Sequence, residues 1–468
     1  MRPPPRGARR AVLVAGALAV SALAHSALGP RYGGTLRVGV IELPALTPAA
    51  PRSADQRLLA GLVHATLVAA GPEGQPLPEL AAGWSSAASG REWMLRLRDP
   101  AAFHDGTPVT ADDAARSLRR FLRSRSPAAA RLAEALAGGA AFRQGTTEAL
   151  AGVEARPPRT LVLRFEGARA LPLAPLASAA AAITSESGAG AGPFAPSAVI
   201  AGRQAGFAAA AMHVRGRPYL DRVELTALPE SALGTELQAG RLDMTLGGGG
   251  GPLGAVLVLS IDPTRAPFDR PPVRAAVAAA VDRPNLVRHL LPGAAAECTL
   301  LTPSLLPSLG AEPATAPGSA PRTAATLAVS REVPSLVSQR VLAHLTELGL
   351  QVSADPRPPS RVLEGPPAAL RLWLWTPEVP EAGLALEELS ALAPPLPAVR
   401  QALDAAALEL DPDRRRAQLY RAEAALRAAN VLVPLAAVPL SFRGAARLQG
   451  VRVDASGRVA LEDAWWEP

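Results

Sequence analysis

Residues 93–122, WMLRLRDPAAFHDGTPVTADDAARSLRRFL, decide the fold class of this chain. Across Trp93–Arg98 apolar and polar side chains alternate, which sets Trp93, Leu95 and Leu97 on one face of a half-buried strand. The strand ends at Asp99–Pro100, because proline donates no ladder hydrogen bond and restricts the residue before it; Asp105–Gly106 then supplies the positive φ of a tight turn. After Pro108, Thr110 stands three residues ahead of Asp113, an N-cap with a carboxylate placed to reciprocate. Ala114, Ser117, Leu118, Phe121 and Leu122 recur at helical spacing, with Arg116, Arg119, Arg120 and Arg123 between them. This predicts an amphipathic helix whose cations gather toward its C-terminal end.

At 468 residues the chain is long enough for two or three domains. It contains no lysine, so all 48 basic residues are arginines. Arg2, Arg6, Arg9 and Arg10 precede an apolar run from Ala11 to Ala24 that closes on Ala22–Leu23–Ala24, the pattern of a signal peptide over residues 1–24. The run is too short to span a membrane, and no lipobox cysteine follows it, so a periplasmic chain without a lipid anchor is expected. Removing the segment leaves 44 arginines against 41 acids, a net +3 in place of the full chain's +7. The arginines are dispersed and not interleaved with aromatics, which argues against a nucleic-acid partner. Cys298 is the single cysteine, and no second histidine or cysteine stands four positions from His64; neither a disulfide nor a protein-ligated metal is expected, and no cofactor is implied. Gly-x-Ser-x-Gly and His-Glu-x-x-His runs are absent, so the chain lacks the signatures of a secreted hydrolase and is read as a non-enzyme.

Other short runs fall in a definite order. Gly33–Gly34–Thr35–Leu36 announces a strand, and Pro78–Glu79–Leu80–Ala81–Ala82–Gly83–Trp84 precedes the strand of Trp93. Arg131 to Phe142 reads as a helix, and Gly188–Ala189–Gly190–Ala191–Gly192–Pro193–Phe194 as a turn entering a strand. There follow Gly216–Arg217–Pro218–Tyr219–Leu220–Asp221, the run Glu236–Asp243, and Ala266–Ala276 with Ala280–Arg283. A strand, helix and strand over 325–352 give a β-α-β order, and Pro303–Pro321 is a loop. Together with FHDGTPVTADD, these runs resemble the family 5 extracellular solute-binding proteins, the oligopeptide, dipeptide and nickel receptors of ABC importers, from Gly33 to about Trp466.

The resemblance implies an α/β, two-lobed periplasmic-binding-protein-like fold (class II, large peptide-binding type) with two interlobe crossovers. Lobe I would comprise 31–258 plus 439–468, with a subdomain around 50–175, and lobe II 259–438. In the family the FHDG-like run shapes the first lobe and does not touch ligand; Trp84, Trp93 and the terminal Trp465–Trp466 are expected to pack that lobe, and Arg274, Asp282 and Arg283 to fix helices of the second. The run Gly247–Gly251 departs from the family, standing where a longer segment is expected.

The implied function is capture of a peptide or similar small solute between the lobes and delivery to membrane permease subunits, by a monomer. The alternatives are a nickel or metallophore receptor of the same fold, or a degenerate receptor serving as sensor or scaffold. In peptide-binding members a Trp-x-x-Asp run follows a strand like Leu370–Trp375, and its carboxylate holds the ligand's α-ammonium. The matching residues are Trp375–Thr376–Pro377–Glu378, with glutamate for aspartate. Glu378 is therefore the expected ammonium partner, a carboxylate suited to a water-poor cleft, with Trp375 and Trp373 as cleft-wall aromatics. The competing reading makes Glu378 and Glu381 solvated loop acids.

Overall fold

Two glycines open the first strand. Gly33 and Gly34 take φ of 129° and 88°, and a Cβ on Gly34 would lie 2.6 Å from Cδ1 of Trp466, so the chain's last strand closes over its first. The structure, a computed structural model, describes residues 29–468 apart from 44, 73, 249–250, 297–298, 308–321 and 455. The expected signal segment 1–24, Cys298 and the greater part of the Pro303–Pro321 loop lie outside the described residues.

Thr35–Val40 sits inside a six-stranded sheet ordered 442–444, 244–246, 35–40, 222–227, 204–209, 194–200. It runs parallel to Arg222–Ala227, from Thr35 opposite Arg222 to Val40 opposite Ala227. Leu36, Val38 and Val40 are buried by the helix Ala54–Val63, whose Leu58, Leu59, Leu62 and Val63 share their cluster. The apolar alternation of one element thus meets the helical stripe of the next.

The quoted stretch builds a second unit. Glu92–Leu97 lies in a four-stranded antiparallel sheet ordered 81–86, 92–97, 160–164, 153–156, with Leu95 opposite Leu161. The helix Ala111–Leu122 carries the expected capping box: Thr110 Oγ1 accepts from Asp113 N at 3.2 Å, while Asp113 Oδ2 accepts from Thr110 N at 3.1 Å. Ala114, Ser117, Leu118, Phe121 and Leu122 are buried on its inner side. Thr110→Ala is expected to lower stability by about 1 kcal/mol, checked as a lower urea midpoint at unchanged m-value.

The FHDG turn between them is built for packing. His104 N donates to Gly190 O at 2.8 Å and the His104 ring bonds Gly192 O at 2.9 Å. Asp105 accepts from Thr107 Oγ1 and N, and from the hydroxyls of Ser185 and Ser187. Those bonds, Thr107's first, hold its carboxyl well below the usual range.

Two differences from the sequence pattern have local causes. In place of one helix over 131–142 there are two, Pro127–Ala135 and Gly139–Gln144, because Leu136 extends to bridge Phe165 and Gly138 takes φ 70°. The other concerns where the chain leaves the first sheet. Leu253–Ile261 pairs along its length in a five-stranded sheet ordered 351–357, 324–330, 370–375, 253–261, 432–439. The sheets therefore change between 247 and 252 and again after Pro439, and position 258, the division expected from sequence, falls inside a strand. Gly247 N donates to Ser441 O at 2.8 Å and Leu440 N to Pro252 O at 2.9 Å, so the two crossing segments run side by side. A Cβ on Gly251 would stand 2.2 Å from Leu440 O, which explains a glycine there.

The five-stranded sheet is covered on both faces, which is why its strands read as continuous apolar runs. Leu257, Leu259, Leu370 and Leu372 face Val277, Val337 and Val341. Val256, Val258, Trp373 and Trp375 face Leu386, Leu403 and Leu426 of the helices Ala382–Ser390, Pro397–Leu408 and Pro412–Ala428. Arg274 donates to Ala429 O and Phe268 O, Arg283 to Pro434 O and Ala278 O, and Asp282 caps the helix Arg283–Leu290.

Candidate ligand cleft

Beyond Trp375 the chain turns toward the other body. Glu378 is 6% exposed, and its carboxylate accepts from Ser126 Oγ at 2.8 and 3.0 Å and from Ser178 Oγ. Both hydroxyls are already fixed by their own backbone: Ser126 caps the helix Pro127–Ala135 by accepting from Ala129 N, and Ser178 accepts from Ala180 N. Each spends its single proton on Glu378. From the other side, Glu378 N donates to Glu388 Oε2 at 2.8 Å and Trp375 Nε1 to Glu388 Oε1 at 3.2 Å. No arginine pairs with Glu378 among the described residues. Burial, then the charge of Glu388, pushes its carboxyl up to about 7 against the two serine bonds.

The wall facing it comes from the helix Ala54–Val63. Arg57, 6% exposed, donates through an Nη to Thr376 O, two residues before Glu378. Arg57 and Glu378 line, with Ala60, Gly61, Glu79 and Arg458, a cleft of about 660 Å³ of non-protein space, part of it open to solvent. Its other lining arginine is matched: Arg458 pairs with Asp454 and Glu462. Outside the lining, Arg215 pairs with Glu79 and Glu462, and Arg52 stands 3.8 Å from Glu388.

Around the cleft the two bodies touch directly. Arg131 pairs with Glu387 at 2.5 Å and Asp404 at 3.0 Å, and Arg400 with Glu134 at 2.9 Å. Ala54 N donates to Glu332 Oε1 at 2.9 Å, and Ser360 Oγ to Glu42 at 2.8 Å. The arrangement is a closed one.

The structure brings Glu378 into the cleft but neither tryptophan. Trp375 and Trp373 are 1% and 5% exposed in the core between sheet and helices, so the expected cleft-wall aromatics are core fillers. Trp375 acts on the cleft only through Glu388. Glu378 and Glu381 are not solvated acids either: Glu381, 4% exposed, caps the helix Ala382–Ser390 and pairs with Arg415. Ser126, Ser178, Arg57 and Glu388 were not singled out from sequence. Ser126–Pro127 carried the one available signal, a helix N-cap before proline, and it points to local structure and not to a site. Among the described residues, no group of three or more His, Cys, Asp or Glu side chains is arranged to hold a metal ion, and no helix is long and apolar enough to cross a membrane.

Residues 75–328 match the family described as bacterial extracellular solute-binding proteins, family 5 Middle. Over 113 residues the chain is 32% identical to a probable peptide ABC transporter periplasmic-binding protein of Sinorhizobium fredii; the match spans 24% of this chain and 21% of that protein. The Escherichia coli murein tripeptide binding protein MppA superposes with a TM-score of 0.79 at 20% identity, covering 93% of this chain and 99% of its own. The periplasmic binding protein DppA of Helicobacter pylori, solved with the peptide STSA, gives 0.77 at 17% identity over 94% and 99%. Both share this fold.

Proposed function

This chain belongs to the bacterial extracellular solute-binding proteins of family 5, and from that premise we propose that it captures a short peptide for an ABC importer, enclosing it between two lobes and carrying it to a membrane permease. One lobe is built on the six- and four-stranded sheets and the other on the five-stranded sheet, with 247–248, 251–252 and 440–441 at the hinge. The chain works as a monomer in the periplasm after loss of residues 1–24, and it performs no chemical step on its guest.

The observation that carries this reading is Glu378, a buried carboxylate inside the interlobe cleft, held by hydroxyls from the opposite body and without an ion-pair partner among the described residues. A ligand ammonium supplies the missing charge, displacing the proton that burial otherwise retains. The peptide transport named for the Sinorhizobium fredii relative and the peptide ligands named for the two structural neighbours support the same class of guest.

The test is calorimetric titration of the mature chain with a pool of di- and tripeptides, and with the same pool N-acetylated. The free-amine pool is expected to bind and the acetylated pool to bind far more weakly. Glu378→Gln is expected to weaken the free-amine pool by about 10- to 100-fold, the scale of one charge-assisted hydrogen bond. Equal binding of both pools by the native chain would remove the ammonium from the argument.

A further inference from the structure

We propose that Arg131 is the centre of a clasp that holds the two lobes together before any guest arrives, at a place the guest does not touch; this rests on the hinged-lobe reading above. Arg131 lies on the helix Pro127–Ala135 of the first lobe, five residues beyond the N-cap Ser126. From there it reaches three groups of the second lobe: Glu387 at 2.5 Å, Asp404 at 3.0 Å, and Leu403 O, to which it donates at 3.0 Å. Arg400 of the second lobe returns the contact to Glu134 at 2.9 Å, and Ala170 N donates to Ala407 O at 3.2 Å. The side chains of Arg131 and Glu387 are only 12% and 13% exposed, so water screens this pair little. None of the five charged residues lines the Glu378 cleft.

The clasp is built to release as well as to hold. Each side keeps an internal pair, Arg131 with Glu134 at 3.3 Å in the first lobe and Arg400 with Asp404 at 2.9 Å in the second. When the lobes part, only Glu387 gives up the cation it pairs with, and water reaches it at the same moment. The attraction across the lobes is therefore a bias on an open–closed equilibrium. Such a bias acts on every guest alike. The apparent dissociation constant is the intrinsic one divided by the closed fraction, so the clasp raises affinity without contacting a guest or choosing among guests. It also sets Ser126, on the same helix, against Glu378 ahead of the ammonium.

Small-angle X-ray scattering of the guest-free native chain, Arg131→Gln and Arg400→Gln decides it, at about pH 6 and in about 0.01 M and about 1 M salt, where the screening length is about 30 Å and about 3 Å. In low salt the native chain is expected to be compact and Arg131→Gln to have a larger radius of gyration that returns to the native value with saturating peptide. Arg400→Gln should give a smaller increase; its guanidinium is half exposed, so its loss leaves the fold undisturbed. High salt should move the native chain part of the way, because Arg400, Glu134 and Asp404 are open to solvent while Arg131 and Glu387 are shielded. In calorimetric titration Arg131→Gln is expected to weaken the free-amine and N-acetylated peptide pools by one common factor of about 5- to 50-fold, leaving their ratio at the native value. A native radius for Arg131→Gln in low salt would overturn the clasp, and so would a changed ratio, which would make Arg131 part of the guest's own site; circular dichroism of each variant checks that it is folded. The scattering needs no guest, so a chain that bound no peptide would defeat the capture reading and leave the clasp to be judged on the radius of gyration.

Discussion

Gly190→Ala is expected to destabilise the first lobe by about 3 kcal/mol or more, beyond what most single substitutions do. A Cβ at this position would stand 2.0 Å from Val63 O and 3.0 Å from Val63 C. Gly192 is similar, with Leu62 O and Val63 C each 2.5 Å away. These contacts are with backbone, so no rotamer change relieves them. The segment cannot simply back off, because Gly192 N donates to Val63 O at 3.0 Å while His104 N holds Gly190 O. Val63 ends the helix that carries Arg57, so displacement reaches the cleft wall as well. Gly188 supplies the control: at φ 87° with nothing within 4 Å of its Cβ, Gly188→Ala incurs backbone strain alone, about 1 kcal/mol. Urea unfolding of the three proteins separates the cases. If Gly190→Ala matched Gly188→Ala, the glycine run would not be seated on the helix.

That glycine run shows what the sequence could and could not convey. Its turn into a strand was legible, because glycines before Pro193–Phe194 act locally; its partner 127 residues upstream at Val63 was not. The capping box of Thr110 and Asp113 was legible for the same reason, since all its atoms lie within one helical turn. The strand Leu370–Trp375 was also plain from alternation, yet alternation fixes only that Trp373 and Trp375 share a face. Both faces of this strand are covered, so the pattern does not say which one looks toward a cleft, and the indoles went to the helices. Glu378 was proposed through the resemblance of Trp375–Glu378 to the family's Trp-x-x-Asp run. Ser126 and Ser178, which hold it, stand 252 and 200 residues away in the chain. Their contact joins segments far apart in the chain, for which no local signal exists. The run 255–261, apolar but for Ser260, hid the change of sheet in a similar way, because a strand buried on both faces reads alike in either sheet.

The ligand-free protein is expected to lose stability, or to open, as pH rises from about 6.5 to 8. Burial pushes the carboxyl of Asp55 up to about 7; burial, reinforced by the charge of Asp55, pushes that of Glu332 up to about 8; and Glu378 lies at about 7. Each folded-state value is above the unfolded value near 4, so the folded chain holds protons that the unfolded chain has released. Stability from such groups is full below the unfolded value and disappears as pH climbs through the folded one, with a slope of up to about 1.4 kcal/mol per pH unit per group. Below about 6.5 the trend is opposed: burial lowers His64 to about 4, so its unfolded form takes up a proton there that the folded form refuses. The higher window isolates the carboxylates. Glu332 and Glu378 are both bonded across the lobes, to Ala54 N and to Ser126 and Ser178, so separating the lobes hydrates them without unfolding either body. X-ray scattering should therefore show the radius of gyration rising with pH, alongside a falling melting temperature. A bound ammonium at Glu378 stands in for its proton, so saturating peptide should remove that group's share of the slope, and Glu378→Gln should remove the same share without peptide, leaving the part due to Asp55 and Glu332. A ligand-free profile that stayed level across this window would mean that these carboxylates are already hydrated and the cleft stands open before any guest arrives.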